Sequence, residues 1–382
     1  MGIRFGILST YPTTPCGIAT FAEALVTHLE LQGATPGVVR MVDEFEEMAQ
    51  PVVAQWLAGQ RSAAVEIAAV LNAYDVAVIQ HEYGIFGGLD GEDLLDVVSM
   101  LEVPIISVLH TVLTHPLPNQ HRVLAELCAS STALVTMTET ARTRLIAGWG
   151  IDPARITVIA HGAEDNRVDP SALEVPARRS ALSERPSILT WGLLGEGKGI
   201  EWALLALAEL RDIQPEPSYS IVGRTHPRVL EREGEQYRDR LVGMTDALDL
   251  NSVVSFNGHY LSGPALRRIV READVILLPY DSKDQVTSGV LTEAVAAGKP
   301  VISTSFPHAV ELLSSGAGLL VPQGDPHALR EALRRVLTEP GLADQMAATS
   351  HALATSLLWP AVAQSYISLS RSLMTPSFQS VA

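Results

Sequence analysis

Short apolar runs alternate with stretches of helical periodicity along the first half of this chain. Helical patterns such as Ile18–Glu30 and Ser62–Asn72 separate the apolar runs. The runs predict strands at residues 3–8, 37–42, 75–80, 104–109, 133–137 and 156–160. Strands and helices that alternate at this spacing indicate βαβ units, and therefore a parallel sheet with helices on both faces.

The same alternation begins again after a polar stretch with Pro and Arg, residues 165–186, which we predict to be an interdomain linker. Strands are predicted at 187–191, 219–222, 253–256, 275–278 and 301–304, with helices at 200–212, 264–272, 290–297 and 327–338. The pattern predicts an α/β chain of two doubly wound, Rossmann-like domains, 1–180 and 181–359, whose ligand-binding strand ends face each other across a cleft. A last helix is predicted within residues 360–382.

Composition supports two globular domains. The chain has 382 residues, 47% of them hydrophobic and 18% charged. No apolar run reaches the roughly 18 residues that a membrane span needs, and the apolar N-terminal run is typical of a first strand rather than a signal peptide. We therefore expect a cytoplasmic protein. Cys16 and Cys128 form no metal or disulfide pattern, which agrees with a reducing compartment.

A net charge of −16 argues against non-specific binding to nucleic acid or anionic lipid. Contact with a membrane surface through a local basic patch stays open, and the sequence says nothing about the oligomeric state. The cations comprise 24 Arg and three Lys, namely Lys198, Lys283 and Lys299. Lysine is so scarce that each one calls for a specific reason.

Three predicted strands of the first domain run directly into histidine: His81, His110 and His161. Strand ends line the ligand crevice in such sheets, so we expect these side chains, with Glu82 and Tyr83, to line a substrate cleft. The alternative is that they are loop histidines bonded to backbone carbonyls. The chain contains no His-x-x-x-His or Asp-x-Asp segment, and we predict that no metal is bound.

A glycine-containing loop follows the first strand of each predicted domain. Gly17 opens a helix after the loop 11–16, and Lys198 ends the run Trp191-Gly-Leu-Leu-Gly-Glu-Gly-Lys. Glycine lets backbone N–H groups approach an anion, and an ammonium pairs with phosphate. Neither loop has the spacing of a dinucleotide fingerprint or of a Walker A motif. The alternatives are an ordinary tight βα turn and a solvated loop cation.

The segment 285–300 carries the most specific pattern. Ser288 is a good N-cap, so the N–H groups of Gly289, Val290 and Leu291 would form an anion site. Glu293 lies off the apolar stripe of this helix, and its carboxylate could accept hydrogen bonds from a vicinal diol such as a ribose offers. The alternative is a well-capped amphipathic helix with a solvated glutamate.

Taken together, these segments resemble the retaining GT-B glycosyltransferases of family 4, also called glycosyltransferase group 1. The run Glu293-Ala-Val-Ala-Ala-Gly-Lys-Pro-Val matches the second half of the family signature. Further resemblances are Phe256–His259, Ala273–Pro279, the Lys198 loop, Leu109-His110-Thr111 and Val158–Gly162. The resemblance covers nearly the whole chain and is strongest over residues 187–305.

The resemblance implies a GT-B fold, a nucleotide-sugar donor and a terminal helix that returns to the first domain. It implies that Glu293 binds the ribose and that His110 touches the donor sugar near the reacting carbon. The diphosphate would be held by Gly17, Lys198 and the backbone of Ser288, Gly289, Val290 and Leu291, and the base would meet the region from Gly258 to Tyr260. No cofactor is implied, since helix N-termini and Lys198 would neutralise the leaving diphosphate.

Two positions depart from the family pattern. Gln285 stands where the family has a glutamate that contacts the transferred sugar, with Asp281 or Asp284 as substitutes. Leu193 replaces a phosphate-binding arginine, and Arg224, at the end of the strand 219–222, is the candidate replacement. We take His110, Gln285 and Lys198 as the catalytic candidates.

The sequence therefore predicts a metal-independent retaining hexosyltransferase, with GDP-mannose and UDP-glucose as candidate donors. The acceptor would be a carbohydrate or glycoconjugate bound by the loops 84–91 and 111–121. A sugar phosphorylase of the same fold and a non-catalytic nucleotide-sugar-binding protein remain alternatives, and an NAD oxidoreductase is a more distant one because no fingerprint loop is present.

Overall fold

The structure is a computed structural model that describes residues 2–167, 185–259, 261, 263–282 and 285–374. Tyr260 and Asp284 lie outside the described residues, as does most of the predicted linker with the proposed domain boundary at 180/181. The chain divides into two compact units. Unit 1 comprises residues 1–162 and 356–382, and unit 2 comprises residues 163–355.

The described part of unit 1 forms a seven-stranded parallel sheet of order β3-β2-β1-β4-β5-β6-β7. Its strands are β1 Arg4–Ser9, β2 Thr35–Val42, β3 Val52–Leu57, β4 Val76–His81, β5 Ile105–Leu109, β6 Ala133–Thr136 and β7 Ile156–Val158. The helices between them are α1 Gly17–Leu31, α2 Ala64–Asn72, α3 Leu94–Val98, α4 Pro118–Ser130 and α5 Glu139–Trp149. The central strands are buried along their length because helices cover both faces.

The described part of unit 2 repeats this architecture with a six-stranded parallel sheet of order β10-β9-β8-β11-β12-β13. Its strands are β8 Ser187–Trp191, β9 Ser218–Val222, β10 Val254–Asn257, β11 Val275–Leu278, β12 Val301–Thr304 and β13 Gly318–Val321. Its helices are α6 Ile200–Ala208, α7 Pro227–Glu233, α8 Gln236–Ala247, α9 Gly263–Glu272, α10 Gly289–Ala296, α11 Pro307–Leu313, α12 Pro326–Thr338 and α13 Leu342–Leu357, the last of which ends in unit 1.

The two doubly wound α/β units confirm the predicted fold class. The pattern along the chain missed β3 and β13, which lie at the edges of their sheets. Both strands lack a clear signal, because β3 is only partly buried and β13 begins with glycine. The predicted helix 200–212 is also shorter in the structure, since α6 ends at Ala208.

The last helix, α14 Trp359–Met374, belongs to unit 1 and packs against α1. Trp359 anchors it: its ring lies edge-on to Phe21 of α1 at 5.0 Å between centroids, and any side chain at Gly162 would overlap it. The side-chain amide of Gln32 donates to the Pro360 carbonyl at 2.6 Å. The segment 356–374 therefore contributes to the core of unit 1 although it is far from that core in sequence.

Strand order reverses once in each sheet. In unit 1 the reversal lies between β1 and β4, and in unit 2 it lies between β8 and β11. The crevice beyond the carboxyl ends of the strands at such a switch point is the usual ligand site of open α/β sheets.

Among the described residues, no helix combines the length and apolarity needed to cross a membrane.

Candidate functional site

The switch point of unit 2 is bounded by the loop after β8 and the loop after β11. The backbone N–H of Asp281 donates to the Gly197 carbonyl at 3.1 Å, and the Trp202 indole N–H donates to the Asp281 carboxylate at 3.3 Å. These contacts hold the two loops together. They bring Lys198 and the segment that leads into α10 to one edge of the sheet.

Ser288 caps α10, as its sequence predicts. Its hydroxyl accepts the N–H of Leu291 at 3.3 Å, and its own N–H donates to Nδ1 of the buried His308 at 2.8 Å. Gly289 and Val290 then occupy the first helical positions, where no intrahelical acceptor exists for their N–H groups. The cap thus leaves two backbone donors at a helix end that carries partial positive charge.

Glu293 lies on the second turn of α10 and is half-buried. The indole N–H of Trp191, at the end of β8, hydrogen-bonds its carboxylate. The pKa of Glu293 is raised to about 7, mainly by burial and also by the nearby Glu164, while the Trp191 hydrogen bond and Arg267 oppose the shift. A carboxyl group that titrates near neutrality at a sheet switch point is a candidate binding or catalytic group.

Lys198 projects from the glycine-rich loop onto an aromatic ring. Its ammonium nitrogen lies 4.1 Å from the centroid of the Tyr280 ring, which follows β11 and is fully buried. Gly192, Gly197 and Gly199 in this loop all have positive φ, at 120°, 87° and 61°. The loop conformation that presents Lys198 is therefore one that only glycine adopts without strain at these positions.

Two of these glycines differ in their surroundings, and this difference is testable. A Cβ on Gly199 would overlap the Pro279 carbonyl oxygen, whereas a Cβ on Gly197 would meet nothing closer than Asp281 Oδ1 at 3.7 Å. We expect Gly197→Ala to cost about 1 kcal/mol from backbone strain alone, and Gly199→Ala about 3 kcal/mol from strain plus overlap. Calorimetric melting of both variants measures this, and equal losses would contradict it.

Arg224, Gln285 and Gly258 lie near the same sheet edge. Arg224 follows β9, and its carbonyl accepts the N–H of Leu194 at 2.9 Å, which ties it to the Lys198 loop. The Gln285 amide donates to the Thr287 carbonyl at 2.9 Å, so it braces the loop that enters α10. Gly258 follows β10 and lies beside the Arg238 guanidinium.

The three strand-end histidines of unit 1 come together, with Phe21 of α1 between two of them. The Phe21 ring meets the rings of His110 and His161 edge-on, each at 5.0 Å. His110 Nε2 lies 2.7 Å from Oε1 of Gln80, and His161 Nδ1 lies 2.9 Å from the Gly162 carbonyl. Since Phe21 is on the second turn of α1, this cluster lies close to Gly17 at the start of that helix.

Burial keeps these histidines neutral. It lowers the pKa of His110 to about 3, with His161 and His81 adding to the shift. It also lowers the pKa of His81 and of His161 to about 4. A neutral His110 that donates from Nε2 to Gln80 presents the lone pair of Nδ1, and this nitrogen can accept a hydrogen bond.

His81 and Tyr83 form a second polar group in unit 1. Their rings lie edge-on at 5.0 Å. Neither ring nitrogen of His81 nor the Tyr83 hydroxyl has a hydrogen-bond partner in the described structure, although all are buried. Buried polar groups are normally satisfied, so these atoms are suited to bind a polar ligand. Glu82 lies between them in sequence, directly after β4.

The sequence did not single out Gln80, Trp191, Tyr280 or Cys16. Gln80, Trp191 and Tyr280 lie at or just after the end of a strand, and Cys16 caps α1. The Cys16 sulfur accepts the N–H of Ala19 at 3.3 Å, at a position where Ser or Thr is usual. Position at a strand end was the available signal for Gln80, Trp191 and Tyr280.

Within the described residues, no group of three or more His, Cys, Asp or Glu side chains is arranged to hold a metal ion.

The comparisons with known proteins agree with this architecture. Residues 185–339 match the family model "Glycosyl transferases group 1". The chain is 27% identical over 381 residues to a D-inositol 3-phosphate glycosyltransferase of Frankia alni, which covers 93% of this chain and 89% of that protein. It is 28% identical over 239 residues to the enzyme of the same name in Rhodococcus jostii, of whose length it spans about half, 51%.

Two solved structures share the fold across the chain. A glycosyltransferase of Rickettsia africae superposes with a TM-score of 0.77 at 15% identity, covering 98% of this chain and all of that one. The Anabaena protein HepE, in complex with UDP, superposes with a TM-score of 0.76 at 18% identity, covering 97% of this chain and all of that one. The chain therefore has the GT-B fold of these structures, and its residues 185–339 are similar to the Glycosyl transferases group 1 family.

Proposed function

We propose that this chain is a glycosyltransferase that moves a hexosyl unit from a nucleoside diphosphate sugar to a hydroxyl of a polyol or carbohydrate acceptor, with retention of anomeric configuration. The observation that carries the proposal is the group at the unit 2 switch point. A glycine-rich loop with Lys198, the N-terminus of α10 and Glu293 meet there. Their chemistries match a diphosphate and a ribose.

The donor is held in this proposal by complementary charge. The N–H groups of Gly289 and Val290 and the Lys198 ammonium bind the diphosphate, with Arg224 as a further cation. The Glu293 carboxylate accepts hydrogen bonds from the ribose hydroxyls, and the segment after Gly258 meets the base. UDP-glucose is the first candidate donor, since HepE was crystallised with UDP-glucose. GDP-mannose is the second.

Transfer follows from stabilising the leaving group. The bond from the anomeric carbon to the diphosphate oxygen breaks as the acceptor oxygen bonds to the same face of that carbon. The acceptor proton passes to the departing phosphate oxygen. Lys198 and the α10 N-terminus stabilise the negative charge that develops on the diphosphate. No metal is required for this step.

Unit 1 supplies the sugar and acceptor contacts in this proposal. Neutral His110, oriented by Gln80, accepts a hydrogen bond from a sugar hydroxyl through Nδ1. The unpartnered nitrogens of His81 and the Tyr83 hydroxyl bind acceptor hydroxyls, with Glu82 and His161 nearby. The relatives named D-inositol 3-phosphate glycosyltransferase suggest a cyclic polyol phosphate as the first acceptor to test.

Nucleotide binding without added metal tests the proposal. We expect UDP or GDP to raise the melting temperature of the wild type, because a ligand of the native state stabilises it by mass action. Incubation with UDP-glucose or GDP-mannose and candidate polyols, followed by NMR of the product, then assigns the anomeric configuration. An inverted product would refute retention.

A different binding pattern would refute the proposal itself. Stabilisation by inorganic phosphate alone, with phosphate-dependent cleavage of a glycoside, would identify a phosphorylase. Donor binding without any turnover across the acceptor panel would identify a nucleotide-sugar-binding protein that does not catalyse transfer.

A further inference from the structure

Tyr280 lies in the interior beneath the Lys198 ammonium. Its ring is fully buried, stacks on the Phe306 ring at 5.2 Å between centroids and carries Lys198 Nζ at 4.1 Å from its centroid. An ammonium within about 6 Å of an aromatic centroid is attracted by the negative face of the ring. The geometry is therefore that of a cation–π contact. Neither the sequence pattern nor the family resemblance places Tyr280 in the candidate site.

The backbone of Tyr280 is held as firmly as its ring. Its carbonyl accepts hydrogen bonds from the Thr304 hydroxyl and from the Gln323 amide, the latter at 3.3 Å. The next residue, Asp281, is joined to the Lys198 loop through the Gly197 carbonyl at 3.1 Å. Tyr280 is thus a fixed platform, whereas lysine has a flexible four-carbon side chain.

The contact partner of Lys198 determines whether its charge is available to a ligand. Among the described residues, no carboxylate forms an ion pair with the Lys198 ammonium, and the contact that the structure shows for it is the Tyr280 ring. A carboxylate partner would compete with a bound phosphate for the ammonium. An aromatic face orients the charge without neutralising it.

We propose that Tyr280 is a positioning residue that holds the Lys198 ammonium toward the phosphate groups of the donor. This inference rests on the proposed function for the identity of the ligand, but the Tyr280–Lys198 contact itself does not. The ring fixes the direction of the side chain before the donor arrives, which reduces the conformational entropy lost on binding. Its π face, rather than its hydroxyl, does this, so phenylalanine should replace it.

The test compares Tyr280→Leu, Tyr280→Phe and the matched control Phe306→Leu, which removes the neighbouring ring but leaves Tyr280 under Lys198. UDP and GDP are the probes, with uridine and guanosine as ligands that lack phosphate. We expect Tyr280→Leu to weaken diphosphate binding about 3- to 30-fold and to leave nucleoside binding unchanged. Tyr280→Phe and Phe306→Leu should show no such selective loss.

A double-variant cycle separates positioning from packing. In a Lys198→Met background, Tyr280→Leu should add no further loss of diphosphate affinity, because the residue acts through Lys198. The inference is overturned if that loss persists without Lys198, or if Tyr280→Leu and Phe306→Leu weaken diphosphate and nucleoside binding alike.

A second readout needs no nucleotide and so separates this inference from the proposed function. The chain has three lysines, so acylation by a succinimidyl ester can be followed at each by mass spectrometry. Lys198 should be acylated faster in Tyr280→Leu than in the wild type and in Tyr280→Phe. Lys299, whose ammonium donates to the Ala273 carbonyl at 2.8 Å, is the internal reference. An unchanged Lys198 rate would refute the contact even if no nucleotide binds.

Discussion

Glu293→Gln is expected to make the free protein more stable at pH 8 while it weakens binding of the nucleoside diphosphate sugar. The reason is the raised pKa of this carboxyl group, about 7 against an ordinary 4.5. Between these two values the folded state retains a proton that the unfolded chain has released. Stability therefore falls as the pH rises from 4.5 to 7, and the full cost is present above pH 7.

Glutamine removes that cost because it does not ionise. We expect the melting temperature of Glu293→Gln to exceed that of the wild type by about 3–6 °C at pH 8 and to equal it near pH 4. The loss of charge-assisted hydrogen bonds to the ribose should weaken donor binding about 10- to 100-fold. Calorimetric melting and titration calorimetry measure the two effects.

The number of protons released from Glu293 on donor binding can be measured directly. Donor binding to the wild type near pH 7 should release a proton from Glu293, and titrations in buffers of different ionisation enthalpy detect it. His81, His110 and His161, with pKa values lowered to about 4, 3 and 4, do not titrate in this range. Glu66→Gln, on the exposed face of α2, is the control and should change neither stability profile nor binding. A pH-independent stability difference for Glu293→Gln would contradict the argument.

Lys198→Met is expected to lower turnover about 100- to 1000-fold, more than it weakens binding of the intact donor. The ammonium lies over the uncharged Tyr280 ring, and no carboxylate in the described part of the chain forms an ion pair with it, so its charge is available to the leaving diphosphate. Charge on the diphosphate grows as the glycosidic bond breaks, and a cation fixed beside it stabilises the transition state more than the ground state. Steady-state kinetics with separate kcat and KM values for the donor test this.

Lys299→Met is the matched control, because it removes the same charge from the same unit. Lys299 caps the end of α9 through the carbonyls of Arg271 and Ala273. Its loss should reduce stability and leave kcat unchanged once the protein is folded. Wild-type turnover in Lys198→Met would contradict the role of Lys198 and would move the phosphate site elsewhere on the sheet edge.

The chain's pattern was sufficient for the doubly wound class of each unit. Buried strands between amphipathic helices can form only a covered parallel sheet, so the alternation predicted both doubly wound units. Local hydrogen bonding could also be predicted from the sequence where it involves residues that are neighbours along the chain. The Ser288 cap and its helix are an example, since the cap satisfies N–H groups within its own first turn.

Contacts between segments that are distant in sequence could not be predicted from the pattern along the chain. The partner of Lys198 is Tyr280, 82 positions away along the chain, and the indole that bonds Glu293 belongs to Trp191 at the end of another strand. Periodicity reports which face a residue occupies but not which side chain meets it from another element. The edge strands β3 and β13 were not predicted for a related reason. Strands that are only partly buried show little alternation of apolar and polar residues.

The sequence by itself thus determined two α/β units, the capped helix α10, the strand ends followed by His81 and His110, and the glycine-rich loop that carries Lys198. Only the tertiary structure decided the protonation of the three histidines and of Glu293, and the contact partners of Lys198 and Glu293. Burial makes the histidines neutral and brings Glu293 close to neutrality, and burial is a property of the packed chain. The charge state of the candidate site therefore arises from packing, because desolvation depends on every element that covers a group and not on its neighbours in sequence.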